Sequence, residues 1–538
     1  MQKAIKNCVL IFLLFFQICL IQIGKAQLND IIPADFSFVK NSQIWINSEN
    51  ATGLHHFLHA HASTANISYN LSKGNFIDYY QSNNSRNWKV ETESFNRLNE
   101  KIVFYGLINY QNFSGQNMGG SAFINPYETP FNFVEYADTN KGEKNKESYC
   151  LIGGLSYALT NKLFVSGKID YNAANYAKQK DLRHKNKLLD LSLSLGLSYI
   201  FKKLELGLNY FYHRNIEEIT FRTFGNTDLQ YMMLIDYGNF YGETELYDRL
   251  GNGFIHGTGL KPLFTEIQGG AFQFSILLGK HWKWLNEIKL RNGDGYFGKE
   301  GTHSVLYTVH DVKEWNYQTI LQKSTDKSLQ NIKISGGNKK LNNYRNVINY
   351  VSIPGEIEDV MEIVKTRRLQ RSYWHASLSY DGYFAIKQLQ PKWHMNSQIK
   401  YYTNSQKTHL FPFYREQDIN YYQIDASIER NITKNKKHWW LRLGSGYGEG
   451  FGTKNNDYQS GSTSSEAPRT TELNLNRTYE YNTLPRLYGY AQIKYGISSY
   501  ASSLIYIALN YTYTKGFNSN YLKSAEFHEI KIKLGLEF

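Results

Sequence analysis

The sequence predicts an all-β chain, a transmembrane antiparallel up-and-down barrel of about 18 strands, within a range of 14 to 18. Two observations lead there. Segments of about ten residues alternate apolar and polar side chains repeatedly, and Tyr, Phe and Trp number 43, 31 and 9. A strand has a side-chain period of two, so unbroken alternation sets one face against an oily phase and the other in water. The aromatic excess suits two interfacial girdles. Mean hydropathy is -0.50 and no second long apolar run follows the N-terminal one, which excludes a helical membrane protein. An alternating barrel averages hydrophilic.

Residues 1–26 read as a signal peptide. Lys3 and Lys6 precede an apolar run from Cys8 to Ile23 that only Gln17 and Gln22 interrupt, and Gly24-Lys25-Ala26 supplies a small-residue cleavage site. Cys19 follows Gln17-Ile18, which is no lipobox, so lipidation is not expected. The mature chain then keeps only Cys150, which excludes an internal disulfide and thiolate zinc clusters. Residues 27–62 lack clear alternation and read as a periplasmic or luminal segment, with the barrel over 63–538.

The clearest strand pair is Leu189–Tyr199 with Leu204–Tyr212, joined by Phe201-Lys202-Lys203. Leu189, Leu191, Leu193, Leu195 and Leu197 share one face against Asp190, Ser192, Ser194, Gly196 and Ser198. The same logic pairs Trp88–Phe95 with Lys101–Tyr110, Tyr149–Tyr157 with Leu163–Tyr171, and Ile267–Leu278 with Trp284–Leu290. It continues with Trp315–Leu321 and Asn331–Ser335, Trp374–Tyr383 and Trp393–Tyr401, Tyr421–Ile428 and Trp439–Leu443, and Leu487–Tyr495 and Ile505–Tyr513. A first strand near Ala65–Leu71 and a last one ending at Phe538 complete the set. In that last strand Ile530, Ile532, Leu534, Leu536 and Phe538 alternate with Glu529, Lys531, Lys533, Gly535 and Glu537.

Short turns such as Thr160-Asn161 and Thr325-Asp326 fall on one side, predicted to be periplasmic. Long extracellular loops at about Phe113–Lys146, Arg214–Thr265, Gly337–Arg371 and Gly448–Asn482 fall on the other. The last contains a polar tip, Gln459–Ser465. Ile357, Val360, Met361 and Val364 sit at helical spacing, which predicts a short loop helix over Glu356–Arg367.

The terminal strand ending on Phe538 resembles the terminal signature of Gram-negative outer-membrane β-barrels. That resemblance implies a cell outer membrane location and recognition of this strand by the barrel-insertion machinery. The whole pattern is similar to families of uncharacterised Tyr-rich outer-membrane barrels, through the signal peptide, the strand rhythm and the terminal Phe. Asn50-Ala51-Thr52-Gly53-Leu54 looks a little like the Asn-Pro-Ala motif of fatty-acid-transporter-type barrels, without its proline.

Two groups of side chains carry candidate chemistry. His55, His56, His59 and His61 are dense enough to bind a borderline transition metal, and His55, His59 and His61 would share a face on a strand. On the water-facing side of the strands, Lys168, Asp170, Glu205, His375, Lys400 and Arg442 are candidates to line a lumen. No cofactor is expected. No Gly-x-Ser-x-Gly or Gly-rich phosphate loop is present, and no set of Ser, His and Asp stands out, so the reading is not an enzyme. The formal net charge is +13, but Lys and Arg are scattered and no nucleic-acid motif occurs, which argues for a basic rim facing lipopolysaccharide and anionic lipid rather than nucleic acid. The expected function is a channel or transporter for a solute. The alternative is a non-enzymatic component, with an outer-membrane protein partner, of a secretion, assembly or TonB-linked uptake complex. No TonB box is evident in Gln27–Ala62 and no plug-sized domain precedes the barrel, so the chain is not expected to be a TonB-dependent receptor itself.

Overall fold

The computed structural model describes residues 34–136, 140–224, 229–249, 253–256, 261–299, 306–351, 360–462, 466–499 and 503–538. The expected signal peptide, 1–26, lies outside the described residues. The first strands are β1 (His61–Gly74), β2 (Asn84–Arg97), β3 (Ile102–Met118), β4 (Asn132–Glu135), β5 (Gly142–Ala158), β6 (Leu163–Lys178), β7 (Arg183–Phe201) and β8 (Leu204–Arg222). Then come β9 (Met232–Asp236), β10 (Tyr241–Leu246), β11 (Lys261–Leu278), β12 (Trp282–Gly298), β13 (Leu306–Thr325), β14 (Ser328–Val351) and β15 (Val360–Phe384). The chain ends with β16 (Trp393–Leu410), β17 (Phe413–Lys434), β18 (Lys437–Gln459), β19 (Arg469–Thr470), β20 (Arg486–Ser498), β21 (Leu504–Gly516) and β22 (Glu526–Glu537).

All but β4, β9, β10 and β19 join one antiparallel sheet of 18 strands, each paired with its neighbours in sequence order. The sheet closes on itself. β22 returns to β1 in a register that sets Glu537 opposite Thr64 and Phe527 opposite Gly74. Ser63 and Phe538 exchange backbone hydrogen bonds of 2.8 and 3.0 Å just beyond that ladder. Eighteen strands and an up-and-down order are what the alternation predicts.

The alternating faces sort as expected of a barrel in lipid. Leu189, Leu193, Leu195 and Leu197 of β7, Ile505, Ile507 and Leu509 of β21, and Ile530, Ile532 and Leu534 of β22 all point outward and exposed. Tyr157, Tyr199, Phe201, Trp282 and Trp439 mark the short-turn edge of this belt, and Trp88, Tyr149, Trp315, Trp374 and Tyr401 mark the other. About 9–11 residues of each strand separate the two edges, the length a tilted strand needs to cross hydrocarbon.

Beyond the outer edge the strands run on. The expected loop over Gly337–Arg371 is instead the top of a tall hairpin, where Asn338 pairs with Trp374, Leu341 with Arg371 and Val347 with Val364. Above the lipid the outward face has no reason to be apolar, so alternation stops while backbone pairing continues. The expected helix over Glu356–Arg367 is overturned by the same hairpin. Residues 360–367 belong to β15, whereas 356–359 lie outside the described residues.

The outer loops fold together rather than splaying. β4, β9, β10 and β19 make a small antiparallel sheet contributed by three of them. Phe123, Phe131, Phe133 and Phe254 from the loops pack on Phe221 and Phe297 of the barrel wall as one buried aromatic core. The expected loop Gly448–Asn482 contributes β19 and a helix, α2, at Glu472–Thr483. Of the expected polar tip Gln459–Ser465, Gln459 ends β18, 460–462 follow it, and 463–465 lie outside the described residues.

Leu195 stands near the middle of the belt and is 69% exposed to what would be lipid. Leu195→Arg should therefore destabilise the barrel by about 2–4 kcal/mol in denaturant titrations in lipid vesicles. Ser194→Arg, on the lumen side, should cost far less.

Candidate functional site

The candidate site is the barrel lumen and the two folded segments that enter it. At the short-turn end, residues 34–60 occupy the lumen as a plug. It comprises a short helix, α1 (Phe36–Asn41), and 3-10 turns at Ile44–Asn47 and Ala51–His56. Asp35 caps α1 by accepting the Phe38 N–H at 2.9 Å. Apolar pegs seat it: Trp45 and Ile44 against Leu285 and Ile320, Phe57 against Phe95, and Phe38 edge-on to Tyr383. Polar ties run between the pegs. Lys40 pairs with Glu93 at 2.6 Å, the Trp45 indole donates to Ser275 at 2.9 Å, and Lys289 pairs with Glu49 at 2.7 Å.

Asn50 is the most deeply engaged of these residues. Its Nδ2 donates at 3.1 Å to the carbonyls of Leu197 and Leu208 and to Gln273 Oε1, while its Oδ1 accepts the Thr52 N–H at 3.0 Å and so caps the second 3-10 turn. Gly196 and Gly207 on β7 and β8 make room for it, since a Cβ on Gly196 would collide with the Asn50 amide. Sequence reasoning read Gly196 only as a position on the water face. The signal available was a glycine on the water face of each of two consecutive strands, Gly196 opposite Asn209 and Gly207 opposite Ser198.

At the outer end the folded loops form a cap over the lumen. Asp78 is buried and joins three segments, accepting from the Tyr127 hydroxyl at 2.6 Å, the Thr478 hydroxyl at 2.9 Å and the Tyr79 N–H at 2.7 Å. Burial raises its pKa. Arg415, 1% exposed, forms a two-pronged pair with Asp457 at 2.7 and 2.6 Å and reaches Thr470 of β19 at 2.9 Å. The Glu480 carboxylate on α2 accepts the N–H groups of Asn520, Tyr521 and Leu522. In the β9–β10 hairpin, the Asp236 Oδ1 accepts from the N–H groups of Gly238 and Tyr241 at 2.8 and 3.2 Å. Burial pushes the pKa of Asp236 up to about 6 against those hydrogen bonds.

Beneath the cap lies a chamber of about 550 Å³ lined by Tyr80, Tyr127, Tyr176, Tyr421, Tyr481 and Tyr488 with Lys146, Gln423 and Arg486. The Arg486 guanidinium sits 4.9 Å from the Phe76 ring, 4.8 Å from Tyr421 and 5.2 Å from Tyr481. A second chamber of about 420 Å³ beside α1 is lined by charges of both signs, among them Asp35, Glu91, Arg442, Lys494 and Lys533.

The six lumen candidates are dispersed. Lys168 and Asp170 flank the outward Ile169, Lys400 follows the outward Ile399, and His375 follows the outward Trp374, so all four face the interior. Arg442 pairs with Glu429 at 2.9 Å in the chamber beside α1. Glu205 is buried against the plug. Cys150, between the outward Tyr149 and Leu151, also faces the interior.

The four histidines separate into two pairs. His55 and His56 lie on the 3-10 turn rather than a strand, so no face is shared with His59 and His61; His61 opens β1, and His59 meets the Phe57 ring edge-on. What sequence reasoning missed is the third member. His56 Nε2 lies 2.8 Å from Glu205 Oε2, and His55 Nε2 lies 3.8 Å from Glu205 Oε1. The His55 ring stacks on Phe164 at 3.7 Å, and His56 stacks on Trp45 at 5.9 Å. Burial pushes the His55 pKa down to about 3 and lowers that of His56 as well. These three side chains could hold a metal ion.

An even-stranded, closed antiparallel barrel with an apolar belt and a polar interior is an outer-membrane β-barrel. The chain belongs to a family of unknown function (DUF6850), whose pattern matches residues 51–538. No curated protein matches it. Among solved structures it is similar to BauA, the ferric preacinetobactin receptor of Acinetobacter baumannii, at 8% identity and a TM-score of 0.39 over 89% of this chain and 80% of that one. It is similar to the FrpB iron transporter of Neisseria meningitidis at 7% identity and 0.40, over 91% and 83%. It is also similar to the outer membrane transporter YddB of Escherichia coli at 6% identity and 0.37, over 88% and 81%. At such scores these likenesses carry no assignment of substrate.

Removing the Asn50 amide takes its hydrogen bonds from the Leu197 and Leu208 carbonyls and from Gln273, and uncaps the 3-10 turn. Asn50→Ala should loosen plug docking by about 2–4 kcal/mol. Hydrogen exchange over 44–57 should speed up accordingly while the barrel strands stay protected. For the cap, Asp236 has a folded pKa above its ordinary 3.8, so the folded hairpin holds a proton that the unfolded segment releases. The stability it contributes is full below about pH 4 and is lost as pH rises through about 6. Hydrogen exchange over 231–247, corrected for intrinsic rates, should thus be more protected at about pH 4.5 than at about pH 7.5. Asp236→Asn should flatten that dependence.

Proposed function

We propose that the protein carries a solute across the outer membrane through a lumen closed at rest from both ends. The observation that carries this reading is the pocket of about 550 Å³ between cap and lumen wall. A barrel of this size is wide enough for an aqueous path when nothing fills it. Here its interior is polar, and the filling consists of two segments of the same chain rather than a continuous packed core. Aromatic faces with a guanidinium and an amide suit a polar, ring-bearing or hydroxylated solute better than a fatty acid. Lys168, Asp170, His375 and Lys400 would line the path once the plug moves. A non-enzymatic role belongs to this reading. So does delivery to the membrane by the insertion machinery, with β22 and its Phe538 as the segment recognised.

Single-channel recording in planar bilayers tests it. The full chain should be silent, because plug and cap both obstruct the path. Deletion of 34–60 combined with Asp78→Ala, which releases the cap's three-way tie, should give sustained current. In that open form, reversing the charges of Asp170 and Lys400 should shift ion selectivity. Silence of the doubly opened protein would remove transport and favour the other role, a closed barrel acting as a component of a secretion, assembly or uptake complex.

A further inference from the structure

We propose that His55, His56 and Glu205 form a binding site for a divalent transition-metal cation, of the zinc type in its ligand preference, at the junction of plug and barrel. The donor atoms His55 Nε2, His56 Nε2 and a Glu205 carboxylate oxygen all lie within 4.8 Å of one another. A tetrahedral zinc ion with bonds of about 2.0–2.2 Å spaces its ligand atoms roughly 3.4 Å apart, so small side-chain adjustments close the shell.

A second observation comes from the hydrogen bonds. His55 Nδ1 lies 2.6 Å from the Thr52 carbonyl oxygen, which can only accept, so Nδ1 carries a proton. Nε2 is the nitrogen turned toward Glu205 Oε1. Both atoms are buried and neither has a hydrogen-bond partner. Glu205 is itself 6% exposed in its side chain. Two buried, unpartnered ligand atoms that face each other across 3.8 Å leave a place for a cation between them. The Thr52 contact is also the outer-shell hydrogen bond that metal-bound imidazoles make through their second nitrogen.

The donor set selects the kind of ion. Two imidazoles and a single carboxylate suit zinc and its first-row neighbours. Calcium or magnesium would want six or more oxygens, and Lys283 and Arg97 nearby oppose a cation held by charge alone. Bound there, the ion would link the 51–56 turn to β8 and fasten the plug. The inference rests on this junction and not on transport.

The test uses the full chain, purified in detergent through a tag without histidine and stripped with a chelator. Zinc titrated in competition with a chromogenic chelator should bind at one equivalent, and hydrogen exchange over 44–57 should slow on loading. Glu205→Gln and His56→Ala should each weaken binding by more than about tenfold. His59→Ala and His61→Ala should leave it unchanged. X-ray absorption at the zinc edge of the unsubstituted protein needs no variant, and should report two imidazoles and at least one oxygen. The absence of stoichiometric binding, a shell of oxygens alone, or binding that survives Glu205→Gln and His56→Ala together would overturn the site.

Discussion

Inside hydrocarbon no water is present to satisfy a backbone N–H or carbonyl, and a strand edge left open there costs several kcal/mol per group. The antiparallel pairing of β22 with β1 removes that edge, and the rest of the molecule depends on it. Closure fixes an interior, and the interior is where the plug finds partners on most of the circumference. Glu93 lies on β2, Leu197 on β7, Leu208 and Glu205 on β8, Ser275 on β11, Lys289 on β12 and Tyr383 on β15. A sheet opened at β1 would hold few of these at the distances seen. The plug is a spoke, and it has a seat only while the rim is a ring.

The two closures differ in kind. The cap has a continuous aromatic core, and exposing even a few of Phe123, Phe131, Phe133 and Phe254 to water would cost about 1.5–3 kcal/mol apiece. The plug has three smaller clusters, around Trp45, around Phe57 with Phe36, Val39 and Leu54, and around Phe38, with hydrogen bonds and ion pairs between them. Water entering the lumen can replace many of those polar contacts at little net cost, since an intramolecular hydrogen bond contributes only about 0.5–1.5 kcal/mol beyond its hydrated alternative. The inner closure thus rests more on polar contacts than the outer one. Asn50 is an exception within it, because the strand carbonyls it meets lie in a pleat roofed by the plug itself.

What the sequence discloses follows the same physics. Every barrel strand is legible within the belt, where lipid forces alternation: Leu189 to Leu197 and Ile530 to Leu536 could not be arranged otherwise. Above the belt that constraint lapses, so Asn338–Val351 of β14 reads as loop although its backbone is fully paired with β15. The cap sheet is illegible because strands as short as Asn132–Glu135 and Arg469–Thr470 carry no period and owe their form to the core they cover. The metal-type cluster is legible in half. Adjacent histidines are plain to read, but their carboxylate partner comes from β8, and only barrel closure with the plug inside brings it near.

Cys150 has a consequence of its own. It faces inward from β5, between two lipid-facing residues, and cleavage of the expected leader would leave it as the one sulfhydryl in the protein. The chain therefore carries a built-in reporter of interior wetness. A small charged thiol reagent would gain access to it only along a hydrated passage from one face or the other. Its rate of modification from each side of a sealed vesicle would distinguish an inner from an outer opening in the native sequence, with no residue altered.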